Sequence, residues 1–346
     1  MRSKRAVLLA AVLAGALLAT ACSSDEENSE PVAEATASPT PTPDPTCPLT
    51  GQEPPSGLNL KRPAVAVKVE NDPAARPQSG LEKADIVFEE RVEGGITRFM
   101  AIFHCGESEV VGSVRSGRFD DPKIALPFTS LIAASGSNQI VTNEMAERGI
   151  LYLTENTTDG LFRVGSGVHD LFANTKVLRK AAMEGKIKAP AEGIFTFGEI
   201  ENKAKKARSV SMNFTTSNTI EYRWEGDAWA RYEAGLAFMS DAGTQIAVPN
   251  VLVQLVQVDN SDTIVDVAGN PSTDITLTGT GKVLLFRDGK VIKGTWAIKK
   301  EGGAPVYTDT KGEPLVFADG PIWIELIPND VGEIKGLVSF SKSLAP

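Results

Sequence analysis

The first 46 residues of this 346-residue chain are unsuited to a hydrophobic core, so the fold has to be built from residues 47–346. Arg2, Lys4 and Arg5 precede an uncharged run from Ala6 to Ala21, which closes on Leu18-Ala19-Thr20-Ala21 directly before Cys22. A basic start, an apolar stretch and small residues at its end make a secretory leader, residues 1–21. The run is about 16 residues, short of the roughly 20 a spanning helix needs, so cleavage is expected over retention. Residues 22–46 then read as a tether. They lack Phe, Trp, Tyr, Leu and Ile, and place Pro39, Pro41, Pro43 and Pro45 between polar residues. Such a segment buries too little apolar surface to offset its ordering entropy. Its Pro-rich half is expected to be stiff, at about 3.1 Å per residue.

A cysteine directly after the small residues is the layout of a bacterial lipoprotein cleavage site, which makes Cys22 the lipidation residue. Leu is common three positions before that cysteine; here Ala19 stands there, with Leu18 one further back. No second long apolar run exists, so acyl chains on Cys22 would be the membrane attachment. The expected location is extracytoplasmic, lipid-anchored to the cell membrane.

The formal charge is −9. Loss of the leader removes three bases, and six acids belong to the tether, so Cys47–Pro346 keeps about −6, which disfavours nucleic acid as a partner. Of three cysteines, Cys22 is assigned to lipid. Cys47 and Cys105 remain as an even pair, a disulfide candidate in an oxidising compartment; the alternative is two unpaired thiols. His104-Cys105 and His169 show no ligand spacing, so no metal and no cofactor is expected.

The fold class expected is α+β. Residues 47–200 alternate strands and helices and read as a mixed α/β domain. Its strands are expected over 63–69, 85–92, 96–103, 110–114 and 130–135, with Glu93-Gly94-Gly95 joining two of them. Asp121 with Pro122 is expected to open a short helix, Ser137 to cap one ending at Gly149, and Asn174 to cap another ending at Gly185. Polar residues 201–218 read as a linker. Residues 219–346 carry short strands and turns, with Asp288-Gly289 a strong hairpin signal, and read as a mostly-β domain.

Several ordered motifs resemble one family. They are Asn71-Asp72-Pro73-Ala74-Ala75-Arg76-Pro77-Gln78-Ser79-Gly80, Ala84-Asp85-Ile86-Val87-Phe88-Glu89, Glu93-Gly94-Gly95-Ile96-Thr97-Arg98-Phe99 and Val111-Gly112-Ser113-Val114-Arg115-Ser116-Gly117-Arg118. Together they are similar to the N-terminal domain of the YerB-like lipoproteins. Gly289-Lys290-Val291-Ile292-Lys293-Gly294-Thr295-Trp296 and Trp323-Ile324-Glu325-Leu326 are similar to their C-terminal domain. Ser113 departs from the family, which commonly has Pro there. The resemblance implies a bacterial surface lipoprotein with two paired domains of unknown function.

The candidate ligand-binding residues are Arg76, Gln78, Ser79, Arg98, Arg115, Ser116 and Arg118. Arginine forks suit carboxylate or phosphate groups, and the four arginines could form one anion or glycan pocket. The opposing reading pairs them with Asp72, Asp85, Glu89, Glu93 and Asp120. Asp85 and Glu89 share strand parity and are the candidate acids; His169-Asp170 could orient a base. No catalytic motif is present. The expected function is a non-catalytic envelope protein binding a ligand or protein partner. The alternatives are an extracytoplasmic hydrolase of a cell-wall or phosphate-containing substrate, and a structural scaffold. Trp224, Trp229, Tyr232, Trp296 and Trp323 are expected in the core rather than stacked on sugar.

Overall fold

A computed structural model describes residues 44–200, 204–215, 218–265 and 269–344. The leader, Cys22 and the tether as far as Pro43 lie outside them; Asp44 to Thr46 are irregular and exposed. Three strands open the folded part: β1 (Val65–Glu70), β2 (Ile86–Arg91) and β3 (Thr97–Phe103). Then come α1 (Asp121–Ala125), β4 (Leu131–Ala133), α2 (Gln139–Glu147), β5 (Leu151–Leu153) and α3 (Thr175–Glu184). The second half supplies β6 (Ser209–Thr215), β7 (Asn218–Glu225), β8 (Ala228–Glu233), β9 (Asn250–Ile264), β10 (Gly279–Arg287), β11 (Lys290–Ile298), β12 (Ile322–Pro328) and β13 (Leu337–Ser341).

One sheet runs through both halves in the order Lys205–Lys206, β11, β10, β9, β12, β2, β3, β1, β4, β5. Its seam is β12 beside β2, parallel, with Val87 opposite Trp323 and Glu89 opposite Glu325. β12 reads Ile-Trp-Ile-Glu-Leu-Ile-Pro and is buried along its whole length. A near-continuous apolar run is what a strand covered on both faces requires. A second sheet, Leu236–Ala237, β8, β7, β6, β13, covers one face of the first. Val67, Val87, Phe99 and Trp323 of the large sheet meet Val210, Met212, Phe214, Tyr222 and Trp229 of the small one. On the other face Ile86, Met100 and Ile324 pack on Ile124 of α1 and Val141 and Met145 of α2.

The mixed character holds, but strands dominate, and residues 47–200 are not a layered α/β domain: α1 is a short turn of helix and the strands enter a sheet shared with the second half. The expected linker is also corrected. Lys205–Lys206 pairs with β11, and Ser209–Thr215 is an inner strand burying Val210, Met212 and Phe214. The alternation Val-Ser-Met-Asn-Phe carries that strand despite its polar residues. Helix starts shift by one residue. Asp120 rather than Asp121 precedes α1, because the Asp121 side chain accepts from the Arg118 N–H at 2.7 Å. Asn138 rather than Ser137 caps α2, its carboxamide oxygen accepting from the Val141 N–H at 3.0 Å. Asn174 caps α3, and Gly185 follows its end. Between β10 and β11, Asp288 and Gly289 both take positive φ, 50° and 62°, as a tight two-residue hairpin demands.

Candidate functional site

The β2–β12 seam sets Glu89 directly opposite Glu325, both fully buried and facing the second sheet. Like charges in that register repel unless something compensates. β8 supplies the compensation. Arg231, also fully buried, meets Glu89 at 2.7 Å, Glu325 at 3.2 Å and Glu233 at 3.2 Å. Its guanidinium lies 4.8 Å from the Phe238 ring centroid, 5.1 Å from Trp323 and 5.4 Å from Phe99, so cation–π attraction adds to the ion pairs. The Tyr222 hydroxyl donates to Glu325 at 2.6 Å, and Thr97 donates to Glu89 at 2.6 Å.

Three carboxyls face two guanidiniums here, because Arg76 reaches in to Glu233 at 2.5 Å. Electroneutrality therefore needs one carboxyl to hold its proton. That proton belongs to the coupled Glu89–Glu325 pair, of which Glu89 is the more strongly raised. Burial pushes Glu89 well above the ordinary carboxyl range, Arg231 pulls it back, and Glu325 and Glu233 push it further up. Burial also raises Glu325, against Arg231, Tyr222 and a hydrogen bond with Glu89.

The outer end of this network opens into a groove of about 620 Å³ lined by Pro73, Arg76, Pro77, Glu233, Ala234, Leu236, Ala237, Phe238 and Met239. Both halves of the chain build it. Apolar residues form its walls, with Leu236 75 % exposed at the rim. The Arg76–Glu233 pair forms the polar part. Arg76 Nη2 also donates to the Asn71 backbone and side-chain oxygens at 2.8 and 3.0 Å. Its Nε is buried and donates to no group among the described residues.

The expected four-arginine pocket does not form. Arg76 lies on the second-sheet face. Arg98, Arg115 and Arg118 gather near the opposite face, around Lys68, Glu90, Glu93 and Asp121. Arg118 pairs with Glu93 at 2.6 Å, Arg115 with Glu70 at 3.1 Å, and fully buried Lys68 with Glu90 and with Asp121 at 2.5 Å. Burial lowers the Lys68 ammonium, and Asp121 opposes that. Among the described residues Arg98 makes no ion pair with a carboxylate; its Nη1 donates to the Ser116 carbonyl at 2.7 Å.

Gln78 is buried and donates to the Glu70 carbonyl at 3.1 Å, while Ser79 donates to Asp241 at 2.7 Å; both tie the loop before β2 to its surroundings. The Ser116 hydroxyl meets that of Ser135 at 3.3 Å.

Asp85 and Glu89 are not a working pair. They stand four residues apart, about 13 Å along an extended strand. Asp85 accepts from the N–H groups of His104 at 2.6 Å, Cys105 at 3.2 Å and Gly106 at 2.9 Å, which commits it to holding the end of β3. Cys47 and Cys105 are joined by a disulfide with Cα atoms 6.1 Å apart. His104 is buried, its ring bonded to the Leu60 and Arg62 carbonyls; burial, then the charges of Arg179 and Arg62, push it down to about 4. Trp229, Trp296 and Trp323 are core residues, and Trp224 and Tyr232 are partly buried. Among the described residues no three His, Cys, Asp or Glu side chains are placed to hold a metal, and no helix is long and apolar enough to cross a membrane.

Sequence reasoning missed Arg231, Glu233, Tyr222 and Glu325 as site residues. A signal existed: in Ala228-Trp-Ala-Arg-Tyr-Glu the inward positions are Trp229, Arg231 and Glu233, and charge on the apolar parity of a strand asks for a buried partner.

Comparison with known proteins agrees with this architecture. The domain described as "Protein of unknown function (DUF3048) N-terminal domain" matches residues 49–188, and its C-terminal counterpart matches residues 210–324. The "Putative lipoprotein YerB" of Bacillus subtilis (strain 168) is 31 % identical over 294 residues, covering 82 % of this chain and 86 % of that protein. The crystal structure of the YerB protein from Bacillus subtilis superposes with a TM-score of 0.70 at 29 % identity, covering 84 % of this chain and 98 % of that one.

Proposed function

The chain belongs to the DUF3048 family of proteins of unknown function, and on that premise we propose that it is a lipid-anchored extracytoplasmic binding protein whose ligand seat is the Arg76 groove. The ligand class is an amphiphile: an apolar body along Leu236, Phe238 and Met239, with an anionic group at Arg76. The observation that carries this reading is the Arg76 guanidinium. It stands in the polar part of an apolar groove, and its buried Nε has no acceptor among the described residues. A large, mostly apolar cavity with a few convergent polar groups, next to carboxyls of strongly raised pKa, is the default seat for a ligand. Glu89 and Glu325 support binding over catalysis, because both are sealed beneath the Arg76–Glu233 pair and away from substrate.

Trp323 lies 6.4 Å from Phe238, so tryptophan fluorescence should report occupancy of the groove. Laurate and dodecyl phosphate are expected to change it saturably, and dodecyltrimethylammonium is not expected to compete. Leu236→Glu and Arg76→Ala should each weaken laurate at least tenfold while circular dichroism stays native. Binding that is absent, or equal in both variants and the parent, overturns the proposal.

A further inference from the structure

The opposite face of the large sheet carries a second set of cationic groups that the groove does not use. In the β1–β3 and β2–β3 ladders, Arg98 stands between Glu70 and Glu90. Cross-strand neighbours of opposite charge ordinarily pair. Here both carboxylates are engaged elsewhere. Glu90 is held by Lys68. Glu70 takes Arg115 Nε on one oxygen at 3.1 Å and His169 Nδ1 on the other at 2.7 Å. Arg98 is left with the Ser116 carbonyl and with a buried Nε that donates to no described group, at 5 % exposure. Burial, then Arg118 and Arg115, lowers its guanidinium to about 10, against Glu93 and Asp121. The sequence places a cation whose two ladder carboxylates are engaged by other cations, with Glu93 and Asp121 acting on it without direct pairing.

The groups above Arg98 are accessible and fixed. Arg115 and His169 side chains are 31 % and 30 % exposed, and Glu70 beneath them is buried. Arg115 Nη1 donates to the Val168 carbonyl at 3.2 Å, and the Ser113 hydroxyl donates to the His169 carbonyl, so the histidine loop is pinned to the Ser113–Arg115 segment. With Nδ1 engaged by Glu70, the imidazole has Nε2 left for a ligand; a carboxylate that fixes one ring nitrogen orients the other. The Ser116 and Ser135 hydroxyls adjoin. A guanidinium offers a planar fork, an imidazole a single nitrogen and a hydroxyl a rotating donor, and a tetrahedral oxyanion accepts from all three directions as a planar carboxylate does not.

We propose that Arg115, His169 and Ser116, above the charge of Arg98, form a second site that binds the phosphate group of a phosphate ester. The same chemistry is offered by a soluble sugar or polyol phosphate and by a phospholipid headgroup. The site is separate from the Arg76 groove and stands whether or not the groove binds an amphiphile.

The test is calorimetric titration of the whole protein with glycerol 3-phosphate, and co-sedimentation of Cys22→Ala protein with vesicles of phosphatidylcholine containing phosphatidic acid. Acetate is the planar control. Saturable binding of glycerol 3-phosphate, lost at least tenfold in Arg115→Ala and in His169→Gln with acetate inert, establishes the site with a soluble ligand. Vesicle binding alone, with the same dependence, establishes it with a headgroup. Both variants sit at partly exposed positions, and their native state is checked by an unchanged thermal melt and unchanged circular dichroism. No saturable binding of either probe by the parent protein overturns the proposal, as does binding that both variants retain in full.

Discussion

Replacing Arg231 with Met tests whether the seam between the two halves is held by compensated charge. The substitution keeps an apolar body among Phe99, Phe238 and Trp323 but removes one of two cations facing three carboxyls. The parent cluster is neutral with one proton, held by the coupled Glu89–Glu325 pair. The variant needs a second proton. Taking a proton onto an ordinary carboxyl of pKa 4.5 at pH 7.5 costs about three pH units at 1.36 kcal/mol each, about 4 kcal/mol. Breaking a buried ion pair by removing one partner costs about 3–5 kcal/mol, which agrees. At pH 5.0 the same proton costs under about 1 kcal/mol. Linkage sets the sign. The variant's folded state binds more protons than its unfolded state above pH 4.5, so its stability falls as pH rises. Urea unfolding at both pH values should show a deficit of about 4 kcal/mol at pH 7.5 that shrinks by about 3 kcal/mol at pH 5.0, with unchanged m. Adding Glu325→Gln, which keeps a side chain able to pair with Tyr222, should restore most of the loss at pH 7.5. A deficit below about 1 kcal/mol, or one equal at the two pH values, would refute the compensated-charge account.

His104 is held neutral, from an ordinary 6.5 down to about 4, chiefly by burial. Its lowered value means no effect at pH 7 and a loss of about 3 kcal/mol as pH falls from 6.5 to 4, where the unfolded state alone is protonated; His104→Gln should flatten that part of a Tm-against-pH curve. Cys47→Ser with Cys105→Ser opens a cross-link of sequence separation 58, worth up to about 4 kcal/mol on loop entropy. The double variant should lower the urea midpoint without changing laurate binding, and two free thiols in denatured, unreduced parent protein would contradict the bond. Cys22→Ala should move the protein out of the membrane fraction or block its maturation; fractionation identical to the parent would remove the lipid anchor from the account.

Local sequence determined what local physics controls. The leader, Cys22 and the tether as far as Pro43 are expectations from length, charge order and apolar content, and they lie outside the described residues. The strand pairs around Glu93-Gly95 and Asp288-Gly289, and the Asn174 cap of α3, were legible because a turn or a cap is chosen by residues a few positions apart. Tertiary structure decided the rest. β2 and β12 are adjacent despite their separation along the chain, so the pairing of Glu89 with Glu325, and its need for Arg231, exists in neither half alone. The same long-range packing turned an expected linker into an inner strand and sent Arg76 to one face of a sheet and Arg98 to the other. Four arginines in nearby motifs looked like one pocket. A β-strand alternates its side chains across two faces, and which face a loop returns to is fixed by contacts the sequence pattern does not carry.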